Sequence, residues 1–364
     1  MDTSRDKLDY GNAQPINGGS GRILSISLLE LALCLLVICN HVAANTLSAD
    51  ADGPFAAAIW LLRSFVGFAM PGFVFASALK LGLSRHSGKS EGYLRFLVGR
   101  VRRVYLPYLL WVLIYYLYFV LRVRWLTFSW REMALYVLNG TLVAHFYFIL
   151  VIMQFYVLFP LLRRAVMRVP AYIGLPAALA VTLAAAYFNQ NSAVFSDALM
   201  WDSVFPTYLI YWMLGAYTAA YYTRVTEFAA RHSRGITVIG IAAVAARAAF
   251  GVFLFKGGWT KTVELTNCLL RIALIAFLFA LTRRVRLSEK RANRIFRLHE
   301  TAFFVFFSHP LFLFEALRYI SAARYLAARF AVLGFAGAAA PFGLGLLITY
   351  IKKRLKKRKK FVQL

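Results

Sequence analysis

Acidic residues are scarce in this chain, 15 Asp and Glu in 364, and charged residues of either sign make up 16%. An ordinary soluble domain carries about 25% charged and roughly 45–50% apolar residues. Here 61% are apolar, so the shortfall of charge and the excess of apolar positions exclude a disordered chain and point to lipid as solvent. Cysteine is nearly absent too. Cys34, Cys39 and Cys268 lie within apolar runs, with neither metal-ligand spacing nor a disulfide framework, and read as small hydrophobic side chains. No repeat of 20 to 50 residues and no inverted repeat stands out, which disfavours transporters built from paired halves.

What is abundant is positive charge, 42 Lys and Arg for a net +27. The apolar runs recur along the whole chain and leave no room for a soluble basic domain, so no nucleic-acid partner is expected. A bilayer core about 30 Å thick needs roughly 20 apolar residues as helix. Runs of that kind occur at about 23–43, 54–79, 104–121, 144–162, 171–188, 204–222, 236–255, 263–282, 300–317 and 325–350. The stretch from Trp130 to Val143 is too short and mixed to span and reads as an interfacial helix or loop. The expectation is an all-α, polytopic integral membrane protein of about ten transmembrane helices.

Cytoplasmic loops accumulate Lys and Arg, which tests that count. With the N-terminus inside, the inner segments hold 31 Lys and Arg and the outer ones 7, while Arg63, Arg247, Arg271 and Arg329 fall within spans. Both termini are therefore expected in the cytoplasm, with a polar tail at 1–22, a transmembrane domain at 23–350 and a basic tail at 351–364. The run from Arg22 to Val42-Ala43-Ala44 has some form of a cleavable signal. Removing it would place the basic C-terminal tail outside, against the charge alternation. The loop Arg283 to Arg297, interrupted by Leu287, Ile295, Phe296 and Leu298, reads as an amphipathic anchor on the inner leaflet.

Chemistry is expected where polar groups persist inside lipid-facing lengths, because an ionisable group at mid-membrane costs at least about 2.5–3.5 kcal/mol. Glu30 and Asn40-His41 lie on the first run, Arg63 on the second, His145 at the opening of the fourth, and His309 and Glu315 on the ninth. Glu30 and His41 are eleven residues apart and share a helix face, separated by about 16 Å. His145, near Asn139 and Tyr147, serves equally as an interfacial hydrogen-bonding group. His309 before Pro310 marks either a site or a kink. The arginines within spans are candidates to neutralise Glu30, Glu264 or Glu315. Tyr115, Tyr116, Tyr118, Trp125 and Trp130 read mostly as interfacial belt residues, and Trp201, Trp212 and Tyr147 as candidates to stack on sugar rings.

The ordered set of short motifs along these runs resembles the membrane acyltransferase-3 family over nearly the whole chain. After the histidine of the first helix come Pro71-Gly72-Phe73-Val74-Phe75-Ala76-Ser77, then Phe96, Arg100, Arg103, Val104 and Pro107. His145-Phe146-Tyr147-Phe148-Ile149 follows, with Phe155-Tyr156 and Pro160, then Gly215-Ala216, then Phe306-Phe307-Ser308-His309-Pro310. The resemblance implies a bacterial inner-membrane O-acyltransferase that moves an acetyl group from acetyl-CoA, a co-substrate, to a surface polysaccharide, an exopolysaccharide or a lipid-linked oligosaccharide precursor. No metal is implied. His41 takes the place of the catalytic base, His145 and His309 line the site, and Arg100 and Arg103 match a pair at the mouth of the third helix, suited to the phosphates of acyl-CoA. Positive-inside topology also accounts for arginines there. One departure stands out: the family's arginine ten or so residues before the histidine is here Glu30, which lacks the guanidinium's charge and fork. Either another cation, with Arg63 and Arg271 the candidates, replaces it, or the activity differs. A polytopic exporter or permease for a glycan is the alternative function.

Overall fold

The computed structural model describes residues 23–47, 53–84, 92–191, 203–255, 262–320 and 325–362. In chain order its α-helices are α1 (Leu24–Thr46), α2 (Pro54–Val66), α3 (Ala69–Leu83), α4 (Tyr93–Arg100), α5 (Leu106–Leu117), α6 (Trp130–Asn139), α7 (Tyr147–Arg168), α8 (Ala171–Asn191), α9 (Leu209–Ala220), α10 (Tyr222–Arg231), α11 (Ser233–Phe255), α12 (Thr262–Arg284), α13 (Glu289–Tyr319), α14 (Leu326–Gly334) and α15 (Ala340–Val362). Tighter and wider helical turns join several of them, and no strand occurs among the described residues. Eight helical stretches among these residues are long and apolar enough to cross a bilayer: Leu24–Thr46, Pro54–Leu83, Tyr93–Val123, Tyr147–Arg168, Ala171–Phe188, Glu264–Arg284, Glu289–Tyr319 and Leu326–Leu355. The protein is an all-α, polytopic membrane protein.

Two of the ten expected spans are not among the eight. The run at 204–222 is a 3-10 turn, Phe205–Tyr208, followed by α9 of 12 residues. Twelve residues rise about 18 Å, short of a bilayer core of about 30 Å. Its side chains are mostly buried, Tyr211 and Trp212 almost completely, so this helix packs inside the first unit. The run at 236–255 lies on α11, whose side chains from residue 250 on are outside the described residues. The stretch after Trp130 is helical as far as Asn139. Ser129 caps α6 by accepting from the Glu132 N–H at 3.3 Å, Gly140 ends it with φ +67°, and none of its residues is buried.

The chain forms two compact units, and among the described residues it passes between them within α3, at the start of α11 and within α12. The first holds residues 71–233 and 260–272, the second 15–70, 234–259 and 273–364, within the described residues. In the first unit α9 is clasped by α3, α7 and α8. A Cβ on Gly215 would lie 2.3 Å from the Phe75 carbonyl oxygen, and one on Gly82 2.5 Å from the Ala219 Cβ, so α3 and α9 approach as closely as small residues permit. Two of the family-like motifs, Pro71–Ser77 and Gly215-Ala216, are thus the two sides of one contact. Thr182 on α8 pins the start of α9, its hydroxyl donating to Pro206 O at 3.0 Å and accepting from the Ile210 N–H at 3.2 Å.

In the second unit α1 packs against α2, α13 and α14. Its contacts with α13 repeat at a nearly constant separation in sequence: Glu30 with His299, Cys34 with the Ala302 carbonyl, His41 with His309. Both helices therefore run in the same direction and stay in register. Gly337, in the wide turn between α14 and α15, lets that turn approach Ile38 and Val42 of α1 and Leu313 of α13. Lys353 on α15 donates to Glu300 on α13 at 2.9 Å.

Candidate active site

Three of the four expected catalytic positions fall on the α1–α13 pair of the second unit. His41 is half-buried and His309 completely buried. Their ring centroids lie 5.2 Å apart with the planes inclined by 50°. His309 does not interrupt α13, which runs through Pro310. Its Nδ1 lies 3.1 Å from the Val305 carbonyl oxygen, which accepts, so Nδ1 carries the proton and Nε2 presents a lone pair. The backbone around His41 is tied down in turn. Asn45 Nδ2 donates to the His41 carbonyl at 2.8 Å, and Arg329 of α14 donates to the Asn45 carbonyl at 2.9 Å.

Glu30 is met by a histidine of α13. Its carboxylate accepts from His299 Nε2 at 2.5 Å. Arg271 pairs with Glu264, seven residues earlier on α12, at 3.5 Å, and Arg63 is exposed in the last turn of α2. His299 lay one residue before the run read as the ninth span. The signal that pointed to it was spacing: 299 and 309 are ten apart on α13, and 30 and 41 eleven apart on α1, so two helices in parallel register bring both pairs together. Arg247, on α11, is 6% exposed and donates from Nε to the Ser64 carbonyl at 2.8 Å.

The remaining expected positions belong to the first unit. His145 sits in the turn before α7, 1% exposed, next to Phe146, whose ring is edge-on to both Tyr108 and Tyr115. Arg100 ends α4, its guanidinium 4.9 Å from the ring centres of both Phe96 and Tyr156. This is a cation–π cradle that fixes the plane of the group and joins two more of the family-like motifs. Arg103 is exposed on the wide helical turn that follows, Val101–Tyr105.

Several aromatic side chains expected at the interface or at sugars are core instead. Tyr115 and Tyr116 are fully buried, while Trp125 and Trp130 are each 69% exposed. The Tyr116 hydroxyl accepts from the Ser129 N–H at 2.8 Å and orders the loop before α6. Trp212 is covered by Phe155, with ring centres 4.5 Å apart and planes within 2°, so that face cannot take a sugar. Trp201 lies outside the described residues.

The protein is thus a chain of membrane-spanning helices with paired imidazoles in its second unit and a cradled arginine in its first. In comparison with known families, residues 23–354 match the Acyltransferase domain of the acyltransferase-3 family. The chain belongs to that family and is by that membership an acyltransferase. Among curated proteins it is similar to the "Probable poly-beta-1,6-N-acetyl-D-glucosamine export protein" of Staphylococcus aureus strains MSSA476 and MRSA252. Each is 24% identical over 312 residues, covering 81% of this chain and 84% of the relative. No solved structure matches the chain.

Proposed function

We propose that the protein is an O-acyltransferase of the bacterial inner membrane, with both termini cytoplasmic, that moves an acetyl group from acetyl-CoA to a hydroxyl of a surface polysaccharide, an exopolysaccharide or its lipid-linked precursor. The observation that carries this reading is the His41–His309 pair. A sugar hydroxyl is a poor nucleophile at neutral pH and needs a base within hydrogen-bond reach. His41, the half-buried member, takes the hydroxyl proton as the oxygen attacks the thioester carbonyl. When the carbon–sulfur bond breaks, the thiolate takes that proton back from the imidazolium. His309, fully buried and held by the Val305 carbonyl, positions the His41 ring. Glu30 and His299 occupy the opposite half of the same helix pair, and His145 is a candidate lining residue. Arg100 and Arg103 are proposed to hold the acyl-CoA phosphates on the cytoplasmic side by charge-assisted hydrogen bonds, the aromatic cradle keeping the Arg100 fork presented.

The relatives' name as export proteins favours a second reading, a polytopic exporter of a glycan such as poly-N-acetylglucosamine. Purified protein given labelled acetyl-CoA and a β-1,6-linked glucosamine oligosaccharide separates the two. Acyl transfer yields labelled oligosaccharide and free thiol, whereas export from a sealed vesicle moves the unmodified glycan.

A further inference from the structure

His41 lies five residues before the end of α1, where the backbone carbonyls begin to run out of helical donors. Lipid offers no replacement, and the chain supplies its own. Thr46 Oγ1 donates to the Val42 carbonyl at 2.8 Å, the Leu47 N–H to the Ala43 carbonyl at 3.3 Å, and Asn45 Nδ2 to the His41 carbonyl at 2.8 Å. The Asn45 carbonyl is met from a different helix. Arg329 of α14 donates to it from Nη2 at 2.9 Å.

The helix that carries Arg329 does not account for it. It is the fourth residue of α14, near the positive end of that helix's dipole, where a cation is unfavourable. In the proposed orientation this end of α14 is the outer one, so the bias of Lys and Arg towards the cytoplasm does not place it there either. What accounts for it is α1. That helix has no basic residue in its own last turn, and its negative end favours a cation, which α14 brings to it. The next residue along, Phe330, is edge-on to Phe55 at the start of α2, with ring centres 6.5 Å apart, so α14 is itself held in place.

We propose that Arg329 is a positioning residue for acyl transfer: through Asn45 it holds the turn of α1 that carries His41 and so fixes where that imidazole stands against His309. The inference rests on the acyl-transfer reading above, in which His41 takes the hydroxyl proton. His41 and Asn45 are four residues apart and lie one above the other on one helix face, about 6 Å apart along the axis. Arg329 thus acts on the base through the backbone. Both rings of the pair are tied to main chain by this arrangement. His309 is held by its own bond to the Val305 carbonyl, and the backbone of His41 by the Asn45–Arg329 chain, with the ring centres 5.2 Å apart. A catalytic group displaced by about 1 Å, even by a change away from the chemistry, can lose on the order of 100-fold in rate.

The test uses purified full-length protein in proteoliposomes with acetyl-CoA and a β-1,6-linked glucosamine oligosaccharide, with rates expressed per folded molecule. Arg329→Ala should lower kcat by on the order of 10–10², with KM for acetyl-CoA nearly unchanged. Arg329→Lys, which keeps the charge and a donor, should recover more of kcat than Arg329→Gln. Asn45→Ala provides a milder variant that keeps the helix, since alanine is the best helix former, and it should lower kcat by a smaller factor with the melting temperature nearly unchanged. His41→Ala/Arg329→Ala should be no slower than His41→Ala alone, because residues acting as one unit are not additive. A brace that serves stability alone would lower the melting temperature and leave kcat per folded molecule at the wild-type value in Arg329→Lys, Arg329→Gln and Asn45→Ala. That result, from a wild-type protein that transfers acetate, overturns the inference alone. Wild-type protein that transfers nothing overturns the acyl-transfer reading and the inference with it.

Discussion

Glu30 accepts a hydrogen bond from His299 at 2.5 Å, about 16 Å along α1 from the point where His41 meets His309. The pair occupies the position where the resembling family has an arginine, so the charge there is met from α13. Glu30→Ala removes the acceptor from His299 and should cost about 1–3 kcal/mol of stability, while Glu30→Gln keeps an oxygen and should cost less. Glu30→Arg should not restore a family-like site, because it sets a guanidinium against an imidazole donor. Melting curves in detergent, read beside transfer rates, check this. A Glu30→Arg protein as stable and active as wild type would contradict it.

Gly215 is held to hydrogen at its side-chain position by the Phe75 carbonyl 2.3 Å from where a Cβ would lie. Gly215→Ala should force α3 and α9 apart at about 1–3 kcal/mol, and Gly215→Val should cost more. The melting temperature of the detergent-solubilised protein reports the order glycine above alanine above valine. Equal stability of all three would mean the contact is looser than the geometry states.

Arg100 is held between Phe96 and Tyr156, so its role in binding the acyl donor depends on the cradle as well as the charge. Arg100→Ala together with Arg103→Ala should raise KM for acetyl-CoA by about tenfold, the equivalent of roughly 1.4 kcal/mol, with little change in melting temperature. Arg100→Lys should not match wild type, since an ammonium lacks the planar fork. Unchanged donor affinity in the folded double variant would leave these arginines as topology determinants only.

The spans were legible because a bilayer imposes one length on every helix that crosses it. Composition could not show that the segment 204–222 holds its 12-residue helix buried against α3, α7 and α8, since such a helix is as apolar as one in lipid. At the candidate site, His41 was visible as a polar group in an apolar run, and His309 as a histidine before proline. Their contact was not visible, because it depends on the parallel register of two helices more than 260 residues apart in sequence. The hydrogen bond from Arg247 to the Ser64 carbonyl was hidden for the same reason, since it joins residues 183 apart in sequence.

The proposed orientation places residues 42–53 and 189–203 outside, on the strength of loops without Lys or Arg. Cysteines introduced at Ser48 and Ser192, both outside the described residues, in a background without Cys34, Cys39 and Cys268, should react with an impermeant thiol reagent in intact cells. Labelling only after lysis would reverse the orientation.

The most direct test is transfer of labelled acetate from acetyl-CoA to the glucosamine oligosaccharide by purified wild-type and His41→Ala proteins. A base used mainly in the transition state affects rate more than ground-state stability. The account therefore predicts labelled oligosaccharide from wild type and a loss of at least about 100-fold from His41→Ala, with matching melting temperatures. A His41→Ala protein that transfers at the wild-type rate would contradict it.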